Sequence, residues 1–128
     1  MNLKIEITKQ LKEAGFPQNK KYAYTISPLS KNTEPFLLSM NLSKDNNGYA
    51  NLLASGYEVY ACPDLTELLK ECDQQIDSLY RISISEYSAK SDKKSKGGWE
   101  AISIYESIFE WGETPEEAVA RLWLTIRK

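Results

Sequence analysis

Four lysines fall within seven residues, Lys90, Lys93, Lys94 and Lys96, and Trp99 stands three residues further on. Ammonium groups at that density beside an aromatic ring suit phosphate contact and the stacking of a base. The same pattern also solvates an exposed hairpin tip, and nothing elsewhere widens it into a basic field. Lys and Arg number 16 against 18 Asp and Glu, for a net charge of −2. So few counterions released on binding give little affinity. Arginine, which grips phosphates and guanine edges bidentately, occurs only as Arg81, Arg121 and Arg127. Nucleic-acid or nucleotide binding through Lys90, Lys93, Lys94, Lys96 and Trp99 is therefore the second expectation, not the first.

Tyrosine is the larger pool: Tyr22, Tyr24, Tyr49, Tyr57, Tyr60, Tyr80, Tyr87 and Tyr105. Tyrosine suits a half-buried strand with its hydroxyl in water, and it also anchors protein interfaces. The eight are predicted to fall on several strands and on both faces, which makes most of them structural. A protein-partner surface is the better of the functional readings.

Covalent chemistry lacks its usual parts. The chain has no histidine, which removes the commonest general base and metal ligand. Cys62 precedes a predicted helix N-terminus, where a thiolate is stabilised, but no base accompanies it. Cys72 falls on an apolar helical stripe and reads as a packed thiol. The two cysteines lie at opposite ends of one predicted helix, ~15 Å apart at 1.5 Å per residue, too far for a disulfide. Reduced thiols point to the cytoplasm. Asp64, Glu67 and Glu117 are explained by helix capping, and Glu106 and Glu110 by ordinary strand alternation. No calcium loop is present, and Gly97-Gly98 lacks the Lys-Ser/Thr ending of a phosphate loop. The expectation is a protein that is not an enzyme and holds no cofactor and no metal.

The elements that position these residues read as follows. Leu3, Ile7, Leu11 and Ala14 share a helical face, although Leu3, Ile5 and Ile7 also alternate as a strand would. Gly15 as C′, Phe16 as C″ and Pro17 beyond it end a helix in a Schellman motif. Strands are predicted over Tyr22 to Ser27, Phe36 to Leu42 and Tyr57 to Ala61. Asp64 and Glu67 form a capping box for a helix through Leu65, Leu68, Leu69 and Cys72. A long hairpin pairs Leu79 to Tyr87 with Trp99 to Phe109, joined by Ser88 to Gly98. Gly112-Glu113 makes a turn, and Thr114, Pro115 and Glu117 start a closing helix whose buried stripe is Val119, Leu122, Trp123 and Ile126. No apolar run approaches the ~20 residues needed to span a bilayer, and no linker or repeat divides the chain. The order α-β-β-β-α-β-β-α predicts an α+β fold in one domain, residues 1–128. Its antiparallel sheet of about five strands is packed with two to three helices.

Three stretches carry a resemblance. They are Leu11-Lys12-Glu13-Ala14-Gly15-Phe16-Pro17-Gln18, the helix start from Tyr60 to Leu69, and Trp111 to Leu124 with its Gly-x-Thr-Pro-Glu-Glu-Ala-Val-Ala run. Together they resemble small uncharacterised proteins of phages, prophages and other bacterial mobile elements, and are similar to the phage α-β-α sandwich domain type. The resemblance implies a mobile-element origin and a small sandwich fold, and no activity. The leading expectation is an accessory protein of such an element that binds a host or phage protein.

Overall fold

A computed structural model describes residues 3–28, 35–39, 53–82, 97–105 and 108–127. The chain falls into two compact units, Asn2–Pro63 and Asp64–Lys128. The fold is α+β with antiparallel strands throughout. Among the described residues the strands form two antiparallel sheets of three, one in each unit. No helix among the described residues is long and apolar enough to cross a membrane.

In the first unit, helix α1 spans Ile5–Glu13. The strand-like alternation of its first residues loses to the helical stripe, because Leu3, Ile7 and Leu11 are all buried. Its end is the expected Schellman stop. The Phe16 N–H donates to the Leu11 carbonyl at 2.9 Å and the Gly15 N–H to that of Lys12 at 3.1 Å. Gly15 takes φ +91°, with open space where a side chain would stand. Strand β1 (Tyr22–Ile26) lies between β2 (Phe36–Ser39) and β3 (Glu58–Ala61). Ala23, Thr25, Val59 and Ala61 form the buried face, and Tyr22, Tyr24 and Tyr60 lie on the other.

The outer edge of β3 is occupied by side chains. Lys12 Nζ donates to the Val59 carbonyl at 2.8 Å, and Gln18 Oε1 accepts from the Ala61 N–H at 2.9 Å. An exposed strand edge is a template for unwanted pairing. Here two of the backbone groups that a further strand would use, the Val59 carbonyl and the Ala61 N–H, are already satisfied. Lys12 also lies over the Tyr60 ring, 5.1 Å from its centroid.

In the second unit, helix α2 (Leu65–Cys72) starts with the full capping box of Asp64 and Glu67. A 3-10 turn, Asp73–Gln75, leads into β4 (Ile76–Ile82). The predicted strand from Trp99 to Phe109 is two strands, β5 (Gly98–Ser103) and β6 (Phe109–Gly112). Ser103 makes the reversal. Its hydroxyl accepts the Tyr105 N–H, and its own N–H donates to the Ile108 carbonyl, both at 2.9 Å.

Helix α3 (Pro115–Ile126) is capped by Thr114, which accepts from the Glu117 N–H at 3.1 Å. The expected reciprocal bond goes elsewhere: Glu117 Oε2 accepts from the Glu113 N–H at 2.8 Å, and Oε1 from Arg121 Nη2 at 2.9 Å. Burial exceeds the predicted stripe. Ala118, Val119, Ala120, Leu122 and Trp123 are all buried, while Ile126 is only half-buried. The reason is close approach. Gly112 ends a strand and makes no turn, and a side chain there would stand 2.4 Å from the Ala118 nitrogen.

Candidate functional site

Residues directly opposite one another in a sheet project to the same side. Register therefore assigns the two faces of β4-β5-β6. One face carries Arg81, Trp99 and Gly112 in one row and Leu79, Ala101 and Glu110 in the next. This is the inner face, since the first turn of α3 fills the space beside Gly112 and Ala101 is fully buried. The outer face carries Tyr80, Glu100 and Trp111 in one row and Ser78, Ile102 and Phe109 in the next.

Tyr80 is 36% exposed and Phe109 51%. Past the end of β5, Ile104 and Tyr105 are 53% and 46% exposed. Six large hydrophobic residues are exposed among the described residues, and four of them belong to this sheet and its β5–β6 turn. Scattered exposed apolar residues are ordinary, whereas a gathering of them marks a contact surface.

The row is held in place by its own hydrogen bonds. The Tyr80 hydroxyl donates to Glu100 Oε1, and the Trp111 indole N–H donates to the Gly97 carbonyl at 2.8 Å. Gly98 makes the second bond possible. Its φ is +109°, and a Cβ there would lie 2.9 Å from Trp111 Nε1 and 2.6 Å from the Gly112 carbonyl oxygen. The pair Gly97-Gly98 serves as the seat of an indole. Glu100 itself is only 5% exposed. The row is thus aromatic, carboxylate, aromatic across three neighbouring strands, spanning about 10 Å at the usual strand spacing.

Of the residues the sequence singled out, Lys90, Lys93, Lys94 and Lys96 lie outside the described residues. Trp99 is half-buried on the inner face, opposite to that of Tyr80 and Trp111. Tyr49 and Tyr87 also lie outside the described residues. Neither Cys62 nor Cys72 is in a disulfide, and both are buried. Burial pushes Cys72 up to about 11, with Arg127 opposing and Glu71 adding to the shift. The Tyr24 phenol is raised first by burial and then by Cys62 and Glu6. Among the described residues, no group of three Cys, Asp or Glu side chains could hold a metal ion.

Glu100, Phe109 and Trp111 were missed as site residues. The signal that finds them is register, and that depends on the turn at Ser103. No family model matches the chain, and neither a curated protein nor a solved structure matches it.

Proposed function

We propose that this chain is a non-enzymatic binding protein that engages a protein partner through the outer face of β4-β5-β6. The observation that carries the reading is the exposure of Tyr80 and Phe109 on that face, with Ile104 and Tyr105 exposed in the turn just past β5. Aromatic residues of this kind supply most of the energy at interfaces. The resemblance to proteins of phages and mobile elements makes an accessory role in such an element, acting on a host or phage protein, the biological form of the proposal.

The test uses the full chain as bait against the native host proteome, beside a Tyr105→Ser/Phe109→Ser variant and a Glu116→Gln control on α3. A partner held by wild type and control, and weakened about 30-fold or more by the double variant, is the expected result. Equal recovery by all three baits overturns the assignment of this face.

A further inference from the structure

Strand β4 reads almost the same from either end. Ile76-Asp77-Ser78-Leu79-Tyr80-Arg81-Ile82 runs isoleucine, acid, hydroxyl, leucine, hydroxyl, base, isoleucine. Laid antiparallel to a second copy of itself with Leu79 opposite Leu79, each isoleucine meets an isoleucine. Asp77 of each copy then meets Arg81 of the other. Both charged residues are exposed, and Leu79 is half-buried. Among the described residues neither Asp77 nor Arg81 is in an ion pair. Charges directly opposite across two strands attract or repel according to sign. One kind of charge on an edge keeps identical copies apart. An acid and a base placed symmetrically about a leucine draw them together.

The backbone is arranged for the same pairing. Among the described residues β4 ends its sheet, with β5 as its one neighbour. The Ser103 N–H donates to the Ile108 carbonyl, and the Ile104 N–H to that of Gln75. Odd-numbered residues of β5 therefore bond towards β6 and even-numbered ones towards β4. Opposite the even ones stand Ser78, Tyr80 and Ile82. The N–H and C=O of Leu79 and Arg81 consequently point out of the sheet edge, and among the described residues no partner bonds to them. The edge of β3 differs, since Lys12 and Gln18 occupy it. The register shift between Ile76 and Ser78 bends only the start of β4, and Leu79 lies in the regular part beyond it.

We infer that two copies of this chain pair through the outer edges of their β4 strands, antiparallel and centred on Leu79. The backbone of Leu79 exchanges two bonds with Leu79 of the second copy, and two three-stranded sheets become one. The neighbouring symmetric registers lack this fit. Centring on Arg81 sets one guanidinium against another, and centring on Tyr80 sets Arg81 against leucine. A single strand pair falls at the small end of specific interfaces, so dimer and monomer exchange at micromolar concentration. The pairing uses the edge of the sheet and is independent of the binding role proposed for its outer face.

Sedimentation velocity of the full chain over a dilution series tests it. Wild type is expected to pass from monomer to dimer in the micromolar range. Arg81→Glu makes the edge acidic at both positions, and Asp77→Lys makes it basic at both. Each alone is expected to weaken self-association at least about ten-fold, through two repelling pairs per dimer. An equal mixture of the two variants restores both attractions and is expected to recover a dimer of nearly wild-type strength. Both positions are exposed, where substitutions rarely disturb folding, and recovery in the mixture is something a folding defect does not produce. A wild-type chain that stays monomeric to hundreds of micromolar overturns the pairing. A dimer that neither substitution weakens, or a mixture no stronger than its components, overturns this edge and register.

Discussion

Replacing Gly112 by alanine tests the packing that separates the two faces of the second sheet. The added Cβ would stand 2.4 Å from the Ala118 nitrogen and 2.8 Å from the Glu117 carbonyl carbon. Ordinary contacts at a Cβ begin near 3.4 Å, so the overlap with the nitrogen approaches 1 Å. Both atoms are backbone in the first turn of α3, and no rotamer change relieves them. Overfilling a tight site costs about 1–3 kcal/mol, and immovable backbone places this case at the upper end. A loss of about 3 kcal/mol removes a large part of a typical stability of about 5–15 kcal/mol. At about 4–8 °C per kcal/mol for a unit of this size, the midpoint falls by at least ~12 °C. Trp99, Trp111 and Trp123 all lie in Asp64–Lys128, so urea unfolding followed by tryptophan fluorescence reads the transition of the unit that holds Gly112. Gly15→Ala is the contrast: its added carbon meets nothing within 4 Å, and only φ +91° opposes it. It should cost only about 1 kcal/mol. A Gly112→Ala protein within about 1 kcal/mol of wild type would refute the account of how α3 meets β6.

Cys72 should resist iodoacetamide at pH 8 in the folded chain and react once urea unfolds it, as read by mass spectrometry. Its folded pKa of about 11 exceeds the ordinary 9.0, so the neutral thiol contributes stability in full below about pH 9 and loses it as pH rises toward 11; urea midpoints across that range should fall, and a Cys72→Ala variant should fall less. Removing the side chains that occupy the β3 edge, as Lys12→Ala with Gln18→Ala, should cost about 1 kcal/mol each and raise light scattering on storage, since both backbone groups reopen to pairing. Thr114→Ala and Asp64→Ala should each lower the urea midpoint by about 1 kcal/mol of stability, with helix content by circular dichroism retained at low denaturant.

The signals that read correctly from sequence are those whose physics is local. Gly15, Asp64 with Glu67, and Thr114 each mark a helix end because the bonds they make reach no further than a turn. The break in the strand after Ser103 was illegible for the opposite reason. Ile102, Ile104 and Ile108 keep up an apolar run, and a serine hydroxyl rather than glycine, proline or asparagine makes the turn. Missing that turn hid β6, made Gly112 look like a loop residue, and left Glu100 and Trp111 unrelated. The outer face exists only through pairing between three strands, so no single stretch announces it. The split into two sheets has the same origin, since hydrogen bonding between strands decides it.

The occupied edge of β3 also sets an order of events during synthesis. Lys12 waits for Val59 across 47 residues and Gln18 for Ala61 across 43, whereas Ile102 meets Phe109 within one short hairpin. Closing the longer loop costs about 2 kcal/mol more in chain entropy than closing the hairpin. At about 5–20 residues per second, the ribosome takes roughly 2–10 s to add the partner of Lys12, while a hairpin forms in about 1–10 μs. The Ile7 and Leu11 stripe of the future α1 therefore waits seconds for its partner strand, and the helix, too short at nine residues to be stable alone, forms with that strand rather than before it.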